Sequence, residues 1–405
     1  MKKKKILLSA YACEPNKGSE SAVGWDWALN LTRNNCEVYV VTRLNNKRNI
    51  ENYLKKKPNK NLKFIYFDFS KFILKYIKGQ KNSYSYLYFF LWQIGIFFKT
   101  YSYIKKINFD YIHHVTFVSI RIPSFLCFYK IPFIFGPVSG GDVSPIRLRK
   151  SFSTKYKIKE YLRDLSNFYI KFSPLMNLVF LNSKHIFVNS NETKNLLPKI
   201  YHKKVSQLIA IGIDDKKINY YKKKGSIFTI TFAANLYDIK GSNIIVRVYD
   251  KLLKNNYNLK LYLIGNGYLK KSLINYLIQN NIFSKIIFKN KISQKKFFEV
   301  LKKSNIFVAP YLRDSGGMTL LESLSMSTPV ITFDIGGPNI LINKKCGIKI
   351  TTKKKNEMQI VNDLYDSITK LINNKKTYLN IQKNTFKRCR KFTWQNKIKE
   401  VYKNV

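Results

Sequence analysis

The strongest constraint on the fold is a rhythm in the sequence. Short runs of β-branched and aromatic residues alternate with longer stretches of helical period, and the pattern starts afresh once in mid-chain. Apolar runs of roughly four to eight residues predict strands buried on both faces, and helical stretches between them predict parallel βαβ connections. In the first half the predicted strands are Lys5–Ser9, Glu37–Thr42, Leu62–Phe67, Tyr111–His113, Pro132–Phe135, His185–Asn189 and Ser206–Ala210, with helices such as Glu20–Arg33 and Asn191–Leu197 between them. A polar, Lys-rich passage at Asp214–Gly225 interrupts the pattern, which resumes with Ile227–Phe232, Leu259–Ile264, Ile286–Phe288, Ile306–Ala309 and Pro329–Thr332. A length of 405 residues exceeds what one core usually organises. The expected class is therefore α/β, with two doubly wound Rossmann-like domains facing each other across a cleft. The expected boundaries are 1–213 and 214–385, followed by a C-terminal helix over 386–405 that packs back on the first domain through Trp394. Ligands of doubly wound sheets bind beyond the carboxyl ends of the strands, so functional residues are expected just after strands.

Charge narrows the partners. Lys and Arg number 73 against 23 Asp and Glu, a formal charge of +50. Three readings compete. The excess is mostly Lys and travels with many Asn, Ile, Tyr and Phe, which is what composition drift produces. Scattered Lys would also draw a peripheral protein to acidic lipid head groups, each contributing roughly 1 kcal/mol. Nucleic acid comes last, because no RRM, KH, zinc-finger or helix-turn-helix pattern accompanies the charge.

Five cysteines at 13, 36, 127, 346 and 389 show no paired spacing, which argues against a disulfide framework or zinc site and suits a reducing cytosol. The start, Lys2–Lys5 followed by Ile6-Leu7-Leu8-Ser9-Ala10, imitates a signal peptide, but its apolar run is short and reads as a first buried strand. Residues Ser83–Phe98 carry no charge and many aromatics. A spanning helix needs roughly 20 apolar residues, so this stretch reads as an interfacial or buried helix.

The sharpest motif is Tyr311-Leu312-Arg313-Asp314-Ser315-Gly316-Gly317-Met318-Thr319-Leu320-Leu321-Glu322, which follows a predicted strand and opens a helix. Gly316 and Gly317 remove side chains where backbone N–H groups approach a ligand, and a helix start favours negative charge. Asp314 and Glu322 bracket that seat. A carboxylate accepts hydrogen bonds from the vicinal hydroxyls of a ribose or hexose, so the pattern suits a diphosphate with a sugar at each end. A tight turn with a solvated Glu322 is the bland alternative.

This motif, followed by Ser327-Thr328-Pro329-Val330-Ile331 and then Gly336-Gly337-Pro338, resembles the donor-binding region of the retaining GT-B glycosyltransferases of family 4. The likeness extends to Cys13–Glu20, His113–Phe117 and Gly136–Gly141, which resemble a branch that builds bacterial surface polysaccharides. By resemblance Glu322 binds the nucleotide ribose and Asp314 lies near the donor sugar, with Met318 and Thr319 lining the same seat. The family pattern Gly-Arg, then Lys-Gly, with both cations on the diphosphate, is met here by Lys240-Gly241, but Asn235 stands at the Arg position. Loss of a desolvated cation commonly costs on the order of 3 kcal/mol in the transition state. Either Arg313 or a nearby Lys compensates, or the enzyme is slow, degenerate or specialised.

Other residues take expected roles by position. Gly18 and Ser19 form a turn from the first strand into a helix and would bring N–H groups to the cleft, a plain connection being the alternative. His113 and His114 end a predicted strand and point to opposite faces, so at most one reaches the cleft. Gly136, Gly140 and Gly141 read as an acceptor-side loop. Gly265 and Gly267 form a lone Gly-x-Gly beside the nucleotide, which is weak on its own.

The expected activity is transfer of a hexose from a nucleoside-diphosphate sugar to a hydroxyl of a lipid-linked or polysaccharide acceptor. Retention is implied by the resemblance. Asp-x-Asp is absent from the sequence, so no metal and no cofactor are expected, and Lys240 with helix N-termini would neutralise the diphosphate. The expected location is cytoplasmic, on the inner face of an anionic membrane, with no nucleic acid partner. A catalytically silent binding protein and a sugar-nucleotide epimerase on the same fold remain as alternatives.

Overall fold

Seven strands build the first sheet of the computed structural model, which describes residues 3–70, 73, 86–221 and 227–403. Ser83–Ser85 of the aromatic stretch and residues 222–225 of the Lys-rich passage lie outside the described residues. The strands are β1 (Lys4–Ala10), β2 (Cys36–Arg43), β3 (Leu62–Phe67), β4 (Tyr111–Thr116), β5 (Phe133–Val138), β6 (Ser183–Val188) and β7 (Val205–Gln207). They lie in the order β3-β2-β1-β4-β5-β6-β7, with parallel pairing throughout. A parallel sheet covered on both faces needs apolar residues on both, and Ile6, Leu7 and Leu8 of β1 are all fully buried.

The second sheet holds β8 (Phe228–Ala233), β9 (Leu259–Ile264), β10 (Ile286–Lys289), β11 (Ile306–Ala309), β12 (Val330–Phe333) and β13 (Gly347–Ile350). Its order, β10-β9-β8-β11-β12-β13, is that of a Rossmann sheet, with the direction of winding reversed between β8 and β11. Both domains are thus parallel-sheet α/β units of the expected class. Strand β13 had no counterpart among the predicted strands.

The chain divides into one unit of Met1–Gly141, Leu165–Gly212 and Trp394–Val405, and another of Asp142–Asp164 and Ile213–Thr393. This corrects the expected first boundary, because Asp142–Asp164 belongs with the second sheet. Polar contacts fasten it there. Glu160 pairs with Arg313 at 2.9 Å, Ser153 donates its N–H and hydroxyl to Asp238, and Arg147 donates to the Lys354 carbonyl.

The tail also differs from a single helix over 386–405. A helix at Lys375–Arg390 stays with the second unit, the chain turns, and a helix at Trp394–Lys403 joins the first. There Trp394 lies edge-on to Trp27, with ring centroids 5.7 Å apart, and Lys397, Ile398 and Val401 are buried. The five cysteines are free and buried. Among the described residues no helix is long and apolar enough to cross a membrane. The aromatic stretch forms part of a helix at Tyr86–Lys106 that buries Tyr88, Phe89, Trp92 and Ile96 against its unit's core.

Candidate functional site

Because β8 and β11 are neighbours whose connections leave in opposite directions, the loops after them open a crevice at their carboxyl ends. The loop after β8 carries Asn235 and Lys240, then Gly241 at φ +66°, and runs into a helix at Ser242–Lys254. The loop after β11 carries Arg313, Asp314 and Gly316. Gly317, at φ +70°, opens a helix at Met318–Ser325 that no side chain caps. That helix start keeps its dipole available to an anion, and the space at Gly316 is open, with nothing within 4 Å of where a Cβ would stand.

Lys240 lies beside this start. Its Nζ is 3.3 Å from Asp314 Oδ1 and 4.7 Å from the centre of the Tyr311 ring. The Tyr311 hydroxyl donates to the Ala233 carbonyl at 2.7 Å and lies 3.1 Å from Thr319 Oγ1. One ring therefore supports the lysine and ties the end of β8 to the first turn of the helix. Burial raises the Tyr311 pKa, and the Asp314 and Glu322 carboxylates add to the rise against the Thr319 bond, so the hydroxyl stays neutral. Met318, on the same turn, is half-buried.

Glu322 sits on the inward side of that helix, 7% exposed, and accepts from Gln294 Nε2 at 2.5 Å. Burial pushes its pKa up to about 7, although Gln294 and the more distant Lys217 pull it down. A buried carboxyl with a single amide donor has acceptor capacity left for ligand hydroxyls. The motif is thus neither a bare turn nor a solvated acid.

Asn235 is exposed, and its carbonyl accepts from the Tyr237 N–H. Arg313, the expected substitute cation, has its guanidinium on Glu160, a fully buried acid that also accepts from Ser144 at 2.7 Å. Its charge is therefore already matched within the unit. Gly265 and Gly267 have packing roles: a Cβ there would fall 2.0 Å from the Ala234 carbonyl oxygen and 2.4 Å from that of Leu236, so the loop after β9 can lie directly on the loop after β8.

In the first unit Gly18 and Ser19 are exposed at the start of a helix at Ser19–Arg33, with Gly18 in the N-cap position. Next to them Glu20 accepts from the Val118 N–H at 2.5 Å, which joins the first turn of that helix to the loop after β4. Burial pushes Glu20 up to about 7 against the pull of that bond and of Arg43.

The two histidines do not end their strand. β4 continues to Thr116, and both rings are fully buried. His113 lies 2.7 Å from the Tyr402 hydroxyl through Nδ1 and 2.6 Å from the Gly136 carbonyl through Nε2, so Nε2 carries the proton it donates and Nδ1 accepts. His114 Nε2 faces the Phe117 carbonyl at 3.2 Å, and its ring packs on Phe135. Burial draws His113 down to about 3 and His114 to about 4, leaving both neutral. The His113 ring is tolerated inside a central strand because both its nitrogens find partners there, whereas His114 is bonded through Nε2 alone.

Gly136 is likewise inside β5 rather than in a loop. Gly140 and Gly141 follow it but are buried, the first accepting from Arg121 and the second donating its N–H to Thr193 at 3.1 Å. Sequence reasoning missed Tyr311 as a support, Gln294, Glu160 and Glu20. Tyr311 and Glu20 carried a signal, since each stands inside a motif, whereas Gln294 and Glu160 do not.

Residues 214–388 match the family model for glycosyl transferases, group 1. That segment begins at the second sheet's unit and holds every donor-side residue described above. The chain is 31% identical over 168 residues to the uncharacterized glycosyltransferase MJ1178 of Methanocaldococcus jannaschii, covering 40% of this chain and 44% of that one. It is 28% identical over 184 residues to the O-antigen biosynthesis glycosyltransferase WclY of Escherichia coli, covering 38% and 47%. The chain thus spans less than half the length of either relative. Among solved structures, Anabaena Alr3699/HepE in complex with UDP and glucose aligns over 99% of this chain and 100% of its own, with a TM-score of 0.60 and 13% identity. At that identity the likeness is one of fold, and the fold is GT-B.

Proposed function

We propose that this protein is a glycosyltransferase that moves a hexose from a nucleoside-diphosphate sugar to a hydroxyl of a lipid-linked or polysaccharide acceptor, with retention, as in family 4. The observation that carries the reading is one local arrangement: Lys240 beside the uncapped helix start at Gly317, with buried Glu322 farther along the same helix. The match of residues 214–388 and the relatives named glycosyltransferase support it. So does the UDP in the Anabaena complex, and the O-antigen biosynthesis for which WclY is named motivates the acceptor class.

In this reading the helix start and Lys240 hold the diphosphate, Glu322 accepts from the ribose hydroxyls, and Asp314 stands beside the donor sugar. The bond from the anomeric carbon to the diphosphate oxygen breaks while the acceptor oxygen bonds to that carbon. The acceptor proton passes to the leaving diphosphate. Lys240 favours this step by meeting charge that grows on the leaving group. His113, bonded on both nitrogens, holds β4 and β5 in place, and no side chain of the first unit is assigned to the reacting atoms. Charge neutralisation falls to Lys240 and the helix start rather than to a metal, so chelation with EDTA should leave turnover unchanged. The charge of +50 supports work on the inner face of an anionic membrane.

Calorimetry with UDP-, GDP-, TDP- and ADP-sugars on Glu322→Ala and Lys240→Ala tests the donor site. Weakened binding in both variants is expected, and undiminished binding in both would show the assignment to be wrong. Lys240→Ala should also lower kcat by about 10²–10³. One observation favours a second reading, a silent binding protein: Asn235 is uncharged and Arg313 is already paired. Release of nucleoside diphosphate in the presence of acceptor excludes it.

A further inference from the structure

The helix at Thr154–Ile170 ends in the first unit with its apolar residues turned outward. Leu165, Phe168, Tyr169 and, just past its end, Phe172 are spaced i, i+3, i+4, i+7, the spacing that ordinarily marks a core-facing stripe. Here all four are 62–67% exposed. Inward this stretch places Ile170 in the unit's core and otherwise polar residues: Arg121 donates to Ser166 at 2.9 Å and also to Asn167, which is buried. The next helix, Pro174–Asn182, repeats the arrangement with a conventional inner face of Met176, Val179 and Phe180, while Leu175, Leu178 and Leu181 point outward.

Basic residues border this face. The turn at Lys199–Lys204 is held beside the second helix by Tyr201, whose hydroxyl donates to the Asn177 carbonyl at 3.4 Å, and by Lys204, which donates to the Leu181 carbonyl at 2.9 Å. It presents Ile200, 76% exposed, between exposed Lys199 and Lys203, and Lys171 is exposed between the two helices. Residues 165–182 and 199–204 contain no Asp or Glu. Apolar patches of this extent mark contact surfaces, and a rim of Lys with no acid selects an anionic one. A second copy of the chain would bring the same positive rim and a charge of +50 against itself.

The geometry points to this face as the membrane-docking surface, its aromatic and leucine side chains entering the head-group boundary of an anionic bilayer while Lys171, Lys199 and Lys203 meet lipid phosphates. The inference takes up the membrane association proposed above and assigns it to one surface. The donor assignment is independent of it.

Sedimentation with phosphatidylcholine vesicles, with and without phosphatidylglycerol, tests it. The unaltered chain should bind the phosphatidylglycerol vesicles and release on adding salt. A Phe168→Ser, Tyr169→Ser, Phe172→Ser variant should bind at least about tenfold more weakly, with its melting temperature and its UDP-glucose binding unchanged. A separate Phe172→Trp variant should show a blue-shifted emission component on adding these vesicles that the unaltered chain lacks. Equal binding by the triple variant would overturn the face and leave membrane association standing. Failure of the unaltered chain to bind would overturn both. A dimer in the ultracentrifuge that the triple variant dissolves, with vesicle binding unaffected, would overturn the proposal in favour of a second copy.

Discussion

At Glu322, burial and chemistry pull in opposite directions. The folded chain holds its proton more tightly than an unfolded one, with a pKa of about 7 against an ordinary 4.5. This group therefore favours folding below about pH 4.5, and the advantage is lost as pH rises to about 7. If ribose hydroxyls donate to the carboxylate, sugar-nucleotide binding needs the ionised form. UDP-glucose affinity should then rise several-fold between about pH 6 and 8, and titration calorimetry on Glu322→Gln should show a flat profile. Lys240 was legible in the sequence because it stands in the loop after a strand, where the fold collects ligands, and Glu322 because it closes the motif that Asp314 opens after β11. Gln294, which shares the Glu322 carboxylate, lies 28 residues away on a different helix, and no local pattern announces such a pairing.

The helix at Trp394–Lys403 illustrates how an element's role depends on what it meets. Its anchor Trp394 was legible as a large apolar residue in a basic stretch. Buried Lys397, donating to the Ile209 carbonyl, was not. Burial draws that lysine down to about 7 from 10.5, so its contribution to stability is fully present above about pH 10.5 and is lost as pH falls through about 7. The difference in melting temperature between the unaltered chain and Lys397→Met should accordingly change between about pH 6 and 9, in the direction of relative gain for the variant at the acid end. Trp394→Ala should cost about 3–5 kcal/mol in denaturant unfolding. Strand β4 shows the converse limit. His113 and His114 look like a polar end, and what lets them lie inside is remote from the local pattern for His113, which bonds Tyr402 and the Gly136 carbonyl, while His114 faces the Phe117 carbonyl.

For the molecule as a whole, the charge of +50 opposes compaction, and salt screens it over roughly a Debye length of 10 Å at 0.1 M. The melting temperature should rise as NaCl is increased from about 20 to 300 mM, and a flat response in calorimetry would mean that the lysines are locally compensated. Both sheets were legible from apolar runs, because parallel strands buried on two faces leave few polar positions. The assignment of Asp142–Asp164 to the second unit was not, since it rests on Glu160, Ser153 and Arg147 finding partners 85 to 207 residues away.

The interleaving of the two units has a consequence for biosynthesis. A ribosome delivers β1 to β7 well before it delivers Trp394–Lys403, and at about 5–20 residues per second the interval is on the order of tens of seconds. Until then Trp27 lacks the ring that covers it and His113 lacks the Tyr402 hydroxyl. The earlier-made unit is the later one to finish, and during translation it is the half that would recruit chaperones.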